Sequence, residues 1–145
     1  MGAMTNDSLS TTYYVLDACA LIAFLNREVG ASVVDGLLTD PEIVCFAHAI
    51  NVCEVYYDLV RRSGASTARQ AVADLITVGV QIRQDMDTAF WQQVGDLKVN
   101  PGKLSLADCF ALALAIHTGS TLVTSDHHEF DPLVPLQLCP IQFIR

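Results

Sequence analysis

Positive charge is scarce in this sequence. Its 145 residues contain 8 lysines and arginines against 16 aspartates and glutamates, so the formal net charge is -8 at pH 7. A protein that binds nucleic acid mainly by neutralising phosphates is expected to be basic. A nucleic-acid function would therefore require something that reverses the charge locally, and a bound divalent cation can do so. An acidic surface also suits a basic protein partner.

Long apolar runs and paired cysteine motifs are missing as well. No apolar run reaches the roughly 20 residues of a membrane span, and the N-terminal MGAMTNDSLSTT has no basic or apolar region typical of a secretion signal. The five cysteines form no C-x-x-C motif, which favours reduced thiols. Cys45, His48 and Cys53 suggest zinc only weakly, because no second ligand pair follows at finger-like spacing. We expect a cytoplasmic protein with no membrane association.

The length and composition fit one globular domain. A chain of this size leaves little room for a second domain, and 52% hydrophobic residues suffice for one core. The first four residues, MGAM, are typical of a cloning remnant that precedes a natural start at Met4. We interpret residues 1–12 as this tag remnant with a flexible N-terminus, and residues 13–145 as the domain.

Short β-prone runs alternate with helical stretches along the chain. This alternation predicts an α/β fold with a central parallel sheet and helices on both faces. Ligands in such folds bind outside the carboxyl ends of the strands, where the strand order reverses. The predicted strands are 13–16, 43–46, 80–83, 121–124 and 141–144, and the predicted helices are 18–26, 31–38, 47–62, 67–78, 88–98 and 106–117.

Four acidic residues interrupt strongly apolar stretches. Asp17 and Asp126 follow predicted strands, whereas Asp108 and Glu54 lie in predicted helices. Buried carboxylates need partners, and these stretches contain no lysine or arginine. Two carboxylates about 4 Å apart repel by roughly 4 kcal/mol at an effective dielectric near 20, so either some are protonated or a cation holds them. All-oxygen ligation favours Mg²⁺ or Mn²⁺. We therefore expect strands 13–16 and 121–124 to be adjacent and parallel.

Each acid also has an ordinary structural explanation when it is considered alone. Asp108 can be a carboxylate that caps a helix, and Asp17 and Asp126 can be turn residues. Glu54 can face solvent.

Four segments resemble those of a known family. YVLDACALIAFL, INVCEVYYDLVRR, LSLADCFALALA and LVTSDHHEFDPL are similar, in order and spacing, to the PIN domain, and most of all to VapC-type toxins of bacterial and archaeal toxin–antitoxin pairs. The resemblance extends from Tyr13 to the C-terminus. It implies a ribonuclease that uses Mg²⁺ or Mn²⁺, leaves a 5′ phosphate and a 3′ hydroxyl, and is silenced by a cognate antitoxin.

The resemblance also implies roles for individual residues. The acidic residues that bind metal and catalyse correspond to Asp17, Glu54, Asp108 and Asp126, and Asn51 and Thr124 match supporting polar positions of the family. Cys19 stands where many relatives carry serine or threonine, and a thiol is a poorer hydrogen-bond partner. Ala47 likewise stands where relatives often carry serine. Either Glu54 or Asp126 can receive a proton from the attacking water.

Substrate and protein partners follow from the same interpretation. Lys98, Lys103 and His127 are candidates for RNA contacts, although ordinary solvated loop residues would look the same. We expect a homodimer with an apolar helical interface, and an antitoxin that presents arginine or lysine to the acidic site.

Two other functional classes stay open. One is a phosphoryl-transfer α/β domain, although LVTSDHHEF lacks the phosphate-binding lysine that such sites usually have. The other is a PIN-like binding module that has lost catalysis.

Overall fold

The computed structural model describes residues 10–145, so the interpretation of residues 1–9 as a tag remnant lies outside the described residues. The first strand already begins at Thr12, one residue before its predicted start. The strands are β1 (Thr12–Leu16), β2 (Ile43–His48), β3 (Val80–Arg83), β4 (Thr121–Thr124) and β5 (Ile141–Phe143). The helices are α1 (Ala18–Leu25), α2 (Ala31–Thr39), α3 (Ala49–Ser63), α4 (Ala65–Thr77), α5 (Thr88–Val99), α6 (Leu106–Thr118) and α7 (His127–Phe130).

The five strands form one sheet in the order β3-β2-β1-β4-β5. All four neighbouring pairs are parallel. The chain first builds outward from β1 to β3 and then returns to the other side of β1, so the strand order reverses between β1 and β4. The predicted parallel sheet and the predicted pairing of its first and fourth strands are both confirmed. This reversal creates the crevice in which ligands bind in doubly wound folds.

Helices cover both faces of the sheet, as the sequence predicted. Side chains of a strand alternate between its two faces, and β1 divides accordingly. Leu16 belongs to the core formed with α1 to α4, whereas Val15 belongs to the core formed with α5 and α6. In β4, Val123 joins the first core and Leu122 the second. Because both faces are buried at this point of the sheet, the adjacent residues Val15 and Leu16, and Leu122 and Val123, are all apolar.

Helix α6 is buried over most of its surface. Every residue from 109 to 115 is buried, which agrees with the apolar character of the helix in sequence. Ser105 caps its first turn, where the hydroxyl accepts a hydrogen bond from the N–H of Asp108 at 3.1 Å. Gly119 ends the helix in the left-handed conformation that glycine adopts without strain. The caps therefore set where Asp108 enters the site.

The boundary between β2 and α3 differs from the prediction. The sequence predicted a helix from residue 47, but β2 continues through His48 and the helix begins at Ala49. Buried His48 caps α3, since its Nδ1 accepts from the N–H of Ile50 at 3.1 Å and its Nε2 donates to the Asp85 carbonyl at 2.9 Å. Helix propensity could not reveal where β2 ends, because its pairing with β3 through His48 sets that boundary.

Two short elements near the C-terminus were not predicted. Helix α7 has four residues, and a 3-10 segment at Asp131–Leu136 follows it. Both are too short to produce a helical pattern of apolar residues. Within residues 10–145, no helix is long and apolar enough to cross a membrane.

Candidate metal centre

Asp17 occupies the carboxyl end of β1 and begins α1. Its backbone N–H donates to the Val123 carbonyl at 3.2 Å, which joins it to the end of β4. Its Oδ1 accepts from the N–H of Ala20 at 2.8 Å and so caps α1. Its Oδ2 is buried and forms no hydrogen bond with any residue from 10 to 145. One oxygen of this carboxylate thus supports the fold, and the other lacks a partner.

Burial raises the pKa of Asp17 from 3.8 to about 7. Desolvation of the charged form is the main cause. The negative charges of Asp108 and Asp126 add to it, whereas the Thr124 hydroxyl and the Ala20 N–H act in the opposite direction. Asp17 is therefore close to half protonated at neutral pH unless a cation joins it.

Asp126 lies just beyond β4 and begins α7. Its N–H donates to the Thr124 Oγ1 at 3.0 Å, and its Oδ1 accepts from the N–H of Glu129 at 3.0 Å. Thr124 is itself fully buried. These bonds hold the turn from β4 into α7 and fix the position of Asp126 at the end of the strand.

Asp108 lies in the first turn of α6. Desolvation raises its pKa from 3.8 to about 6, and the charges of Glu129, Asp126 and Glu54 contribute in the same direction. The hydrogen bond with Ser105 acts in the opposite direction. Asp108 is therefore within electrostatic reach of four other acids, Asp17 included.

Glu54 lies in the second turn of α3, behind Asn51. It is partly buried, and its pKa is raised by desolvation and by the charge of Asp58. Asn51 is fully buried, and neither atom of its amide group has a hydrogen-bond partner in the described chain. A buried amide without partners is costly, so this position is suited to a ligand or a bound water.

The Cys19 thiol lies within the electrostatic influence of all four predicted acids. Its pKa is raised to about 12, first by burial and then by the charges of Asp17, Asp126, Asp108 and Glu54. A thiol with so high a pKa stays protonated and unreactive. Protonated Cys19 is at most a weak hydrogen-bond donor or acceptor.

Three carboxylates come within ligand distance of one another. One carboxylate oxygen from each of Asp108, Asp126 and Glu129 lies within 4.8 Å of the other two. Asp17, one oxygen of which caps α1, and Glu54, which lies on α3, do not belong to this group. We call these five residues the acidic site.

Glu129 was missed by the sequence analysis. Its Oε2 is buried without a hydrogen-bond partner in the part of the chain that the structure describes. The available signal was its position three residues after Asp126, which places the two on one face of any helix. A helix of only four residues is hard to recognise from sequence, because it is too short to show a periodic pattern.

The predicted RNA-contacting residues have different surroundings. The ammonium of Lys98 donates to the Leu104 carbonyl and so closes the loop before α6. Lys103 is exposed in that loop. His127 donates or accepts at both ring nitrogens, with the Asp131 carboxylate at 2.8 Å and the Arg145 carbonyl at 2.7 Å. Its ring also stacks on Phe143 at 4.0 Å between centroids, which anchors α7 to the C-terminal strand.

The weak zinc alternative finds no geometric support. Cys45 is buried in the core, Cys53 is exposed, and both ring nitrogens of His48 are engaged by the backbone. Among the described residues, the only group of three or more potential ligands close together is the acidic one.

The acidic site fits a hard divalent cation. Its donors are all oxygens, two of its carboxylate oxygens are buried without partners, and none of its five acids forms an ion pair with lysine or arginine within residues 10–145. Oxygen-only donor sets favour Mg²⁺ or Mn²⁺. Asp108, Asp126 and Glu129 are placed to hold such an ion, with Asp17 and Glu54 beside them.

Comparison with solved structures shows the same fold. VapBC2 from Rickettsia felis, bound to a DNA fragment from its promoter, gives a TM-score of 0.69 at 16% identity, covering 91% of this chain and 98% of that one. VapBC-1 from nontypeable Haemophilus influenzae gives a TM-score of 0.67 at 19% identity, and the alignment covers 92% of this chain and 98% of that one. VapC20 from Mycobacterium tuberculosis, a toxin that cleaves the sarcin–ricin loop, gives a TM-score of 0.65 at 17% identity. The alignment covers 82% of this chain and 94% of that one.

Comparison by sequence is more specific. No curated protein matches the chain, but the family model of the PIN domain matches residues 14–132. This match includes the last three residues of β1, all of β2 to β4 and α7, and all five residues of the acidic site. The chain therefore belongs to the PIN domain family.

Proposed function

We propose that this protein is a metal-dependent endoribonuclease, the toxin of a toxin–antitoxin pair, acting in the cytoplasm. One observation carries the proposal: Asp108, Asp126 and Glu129 bring carboxylate oxygens within 4.8 Å of one another without basic partners, and buried Asp17 ends β1 where the strand order reverses. Such an arrangement is unfavourable by itself and becomes favourable when a divalent cation is bound. The likeness to VapC structures supports the toxin assignment.

The residues of the acidic site have different proposed roles. Asp108, Asp126 and Glu129 would hold the cation, and Asp17 would contribute its buried Oδ2 and extra negative charge. Bound Mg²⁺ or Mn²⁺ supplies Lewis acidity that activates water and stabilises charge on the phosphate. Glu54 is suited to accept the proton from the attacking water, because its raised pKa makes it a better base than a solvated glutamate. Asn51 is placed to bind a ligand or water in the crevice, and Thr124 orients Asp126.

A cleavage assay with matched variants tests this function. Asp17→Asn and Asp108→Asn should each abolish Mn²⁺-dependent RNA cleavage, because each removes a charge and a hard ligand from the site. Asp96→Asn is the control, since Asp96 is exposed on α5 and outside the acidic site. Wild-type cleavage by Asp17→Asn, or equal cleavage in EDTA, would refute the proposal.

The antitoxin is expected to be basic where it contacts the acidic site. An arginine or lysine inserted there would pair with the carboxylates and compete with the metal. The net charge of -8 favours such a partner. Binding that strengthens with added salt would contradict this expectation, because salt screens ion pairs.

The homodimer belongs to the same proposal. Val134, Leu136 and Leu138 are exposed apolar side chains close together in sequence near the C-terminus, and a contiguous exposed apolar patch is typical of interfaces between subunits. A dimer would bring two acidic sites to one shared groove.

The two alternatives predict different behaviour. A phosphoryl-transfer domain would need a phosphate-binding lysine at the site, and within the described chain neither Lys98 nor Lys103 forms an ion pair with the acidic residues. An inactive binding module would bind RNA without cleaving it at any Mn²⁺ concentration.

A further inference from the structure

An aromatic ring and a guanidinium lie together on the surface of α3, beyond Glu54. The Arg61 Cζ lies 5.0 Å from the centroid of the Tyr57 ring. Such a distance is typical of a cation–π contact. Arg61 is exposed and forms no ion pair among residues 10–145, whereas its neighbour Arg62 pairs with Asp58 at 3.2 Å. The Arg61 charge is therefore free to bind a ligand.

The exposure of the ring distinguishes this pair from the other cation–π pairs of the described chain. The rings of Phe24 and Phe46, which contact Arg27 and Arg83, are only 8% and 6% exposed and belong to the core. Tyr57 is 44% exposed, so its side chain is accessible to a ligand. Core packing accounts for the first two pairs but not for an exposed one.

Helix geometry aligns this pair with the acidic site. At 3.6 residues per turn, Tyr57 lies about 60° and Arg61 about 20° around the helix from Glu54. They follow it by about 5 Å and about 10 Å along the helix axis. All three side chains therefore form one stripe on α3, which begins at the acidic site and leads away from it. A nucleotide next to the cleaved phosphate could reach this stripe.

We propose that Tyr57 and Arg61 form a stacking site for an unpaired base of a single-stranded RNA substrate, beside the site of cleavage. The base stacks on the tyrosine ring, and the guanidinium binds an adjacent phosphate or stacks on the base. Proteins that bind single strands combine aromatic rings and positive charge in this way. The chain has few other cations for this task, and the stacking site rests on the proposed ribonuclease function. It would favour unpaired over duplex RNA near the cut.

A binding assay that does not depend on cleavage tests the site. A short single-stranded RNA carries a fluorescent purine analogue, whose emission falls when it stacks. It is titrated with Asp17→Asn protein in Mn²⁺, so that it stays intact. We expect Tyr57→Ala to raise the Kd about tenfold and to abolish the quenching, since base–aromatic stacking is worth about 1–3 kcal/mol per base. Tyr57→Phe should retain both properties because it keeps the ring.

Further variants complete the test. Arg61→Ala should weaken binding and reduce its dependence on salt, because one phosphate contact is lost. Tyr13→Ala is the matched control, since Tyr13 is also an exposed tyrosine but lies on β1; it should leave Kd and quenching unchanged. Sedimentation of each variant shows whether the assembly changes.

Three outcomes would overturn the stacking site. The first is an unchanged Kd for Tyr57→Ala, and the second is an absence of quenching by the Asp17→Asn parent protein. The third is a shift from dimer to monomer on Tyr57→Ala, which would make this surface an interface between copies of the chain. Failure of the ribonuclease proposal has a separate signature, namely wild-type cleavage by Asp17→Asn.

Discussion

Replacing Asp17 with asparagine should stabilise the metal-free protein while it abolishes cleavage. The folded protein raises the pKa of this carboxyl from 3.8 to about 7, and one pKa unit corresponds to about 1.4 kcal/mol. Because the folded state binds the proton more tightly than the unfolded state, stability falls as pH rises from about 4 to about 7. Relative to an unshifted carboxyl, Asp17 therefore costs about 4 kcal/mol at pH 8, where it is ionised, and about 2 kcal/mol at pH 5, where it must take up a proton on folding. Asparagine removes this cost and still caps α1, since it is as good an N-cap residue as aspartate.

Urea denaturation in EDTA, at pH 5 and pH 8, measures this effect. Asp17→Asn should be more stable than the wild type at both pH values, with the larger gain at pH 8. Mn²⁺ should stabilise the wild type more than the variant, because a ligand that binds only the folded state adds stability according to its affinity. A variant that is less stable than the wild type at pH 8 without metal would refute the electrostatic reasoning, and Asp96→Asn controls for the general loss of one negative charge.

The remaining predictions concern other residues at or near the acidic site and the oligomeric state. Asp108→Asn should also stabilise the metal-free protein, most clearly above pH 6, because its pKa is raised to about 6; identical urea midpoints for variant and wild type at pH 8 would contradict this. Glu129→Gln should weaken Mn²⁺ binding in calorimetry, and an unchanged Kd would remove this residue from the ligands. His127→Ala should lower the urea midpoint, because it loses its bonds to Asp131 and to the Arg145 carbonyl; a higher KM with unchanged stability would instead indicate a substrate contact. Sedimentation at tens of micromolar, a range in which stable interfaces stay associated, should show a dimer, and a monomer would contradict the proposed assembly.

The fold was predictable because its signals are local. Apolar strands punctuated by turns, and helices with caps such as Ser105 and Gly119, are enough to indicate an α/β fold. The adjacency of β1 and β4 also followed, since Asp17 and Asp126 had to reach one crevice. The start of α3 could not be predicted, because the pairing of β2 with β3 extends the strand through His48 against the helical preference of Ala47.

The sequence by itself determined which residues carry negative charge and at which ends of strands and helices they stand, because periodicity and caps act over a few residues. Tertiary structure alone decided which carboxylates come within ligand distance. Asp17 directs one oxygen to the first turn of α1, whereas the short helix α7 brings Glu129 to Asp108 and Asp126. Side-chain direction at a site depends on the packing of elements distant in sequence, such as α6 against the sheet and α7 against β5, so no local pattern encodes it.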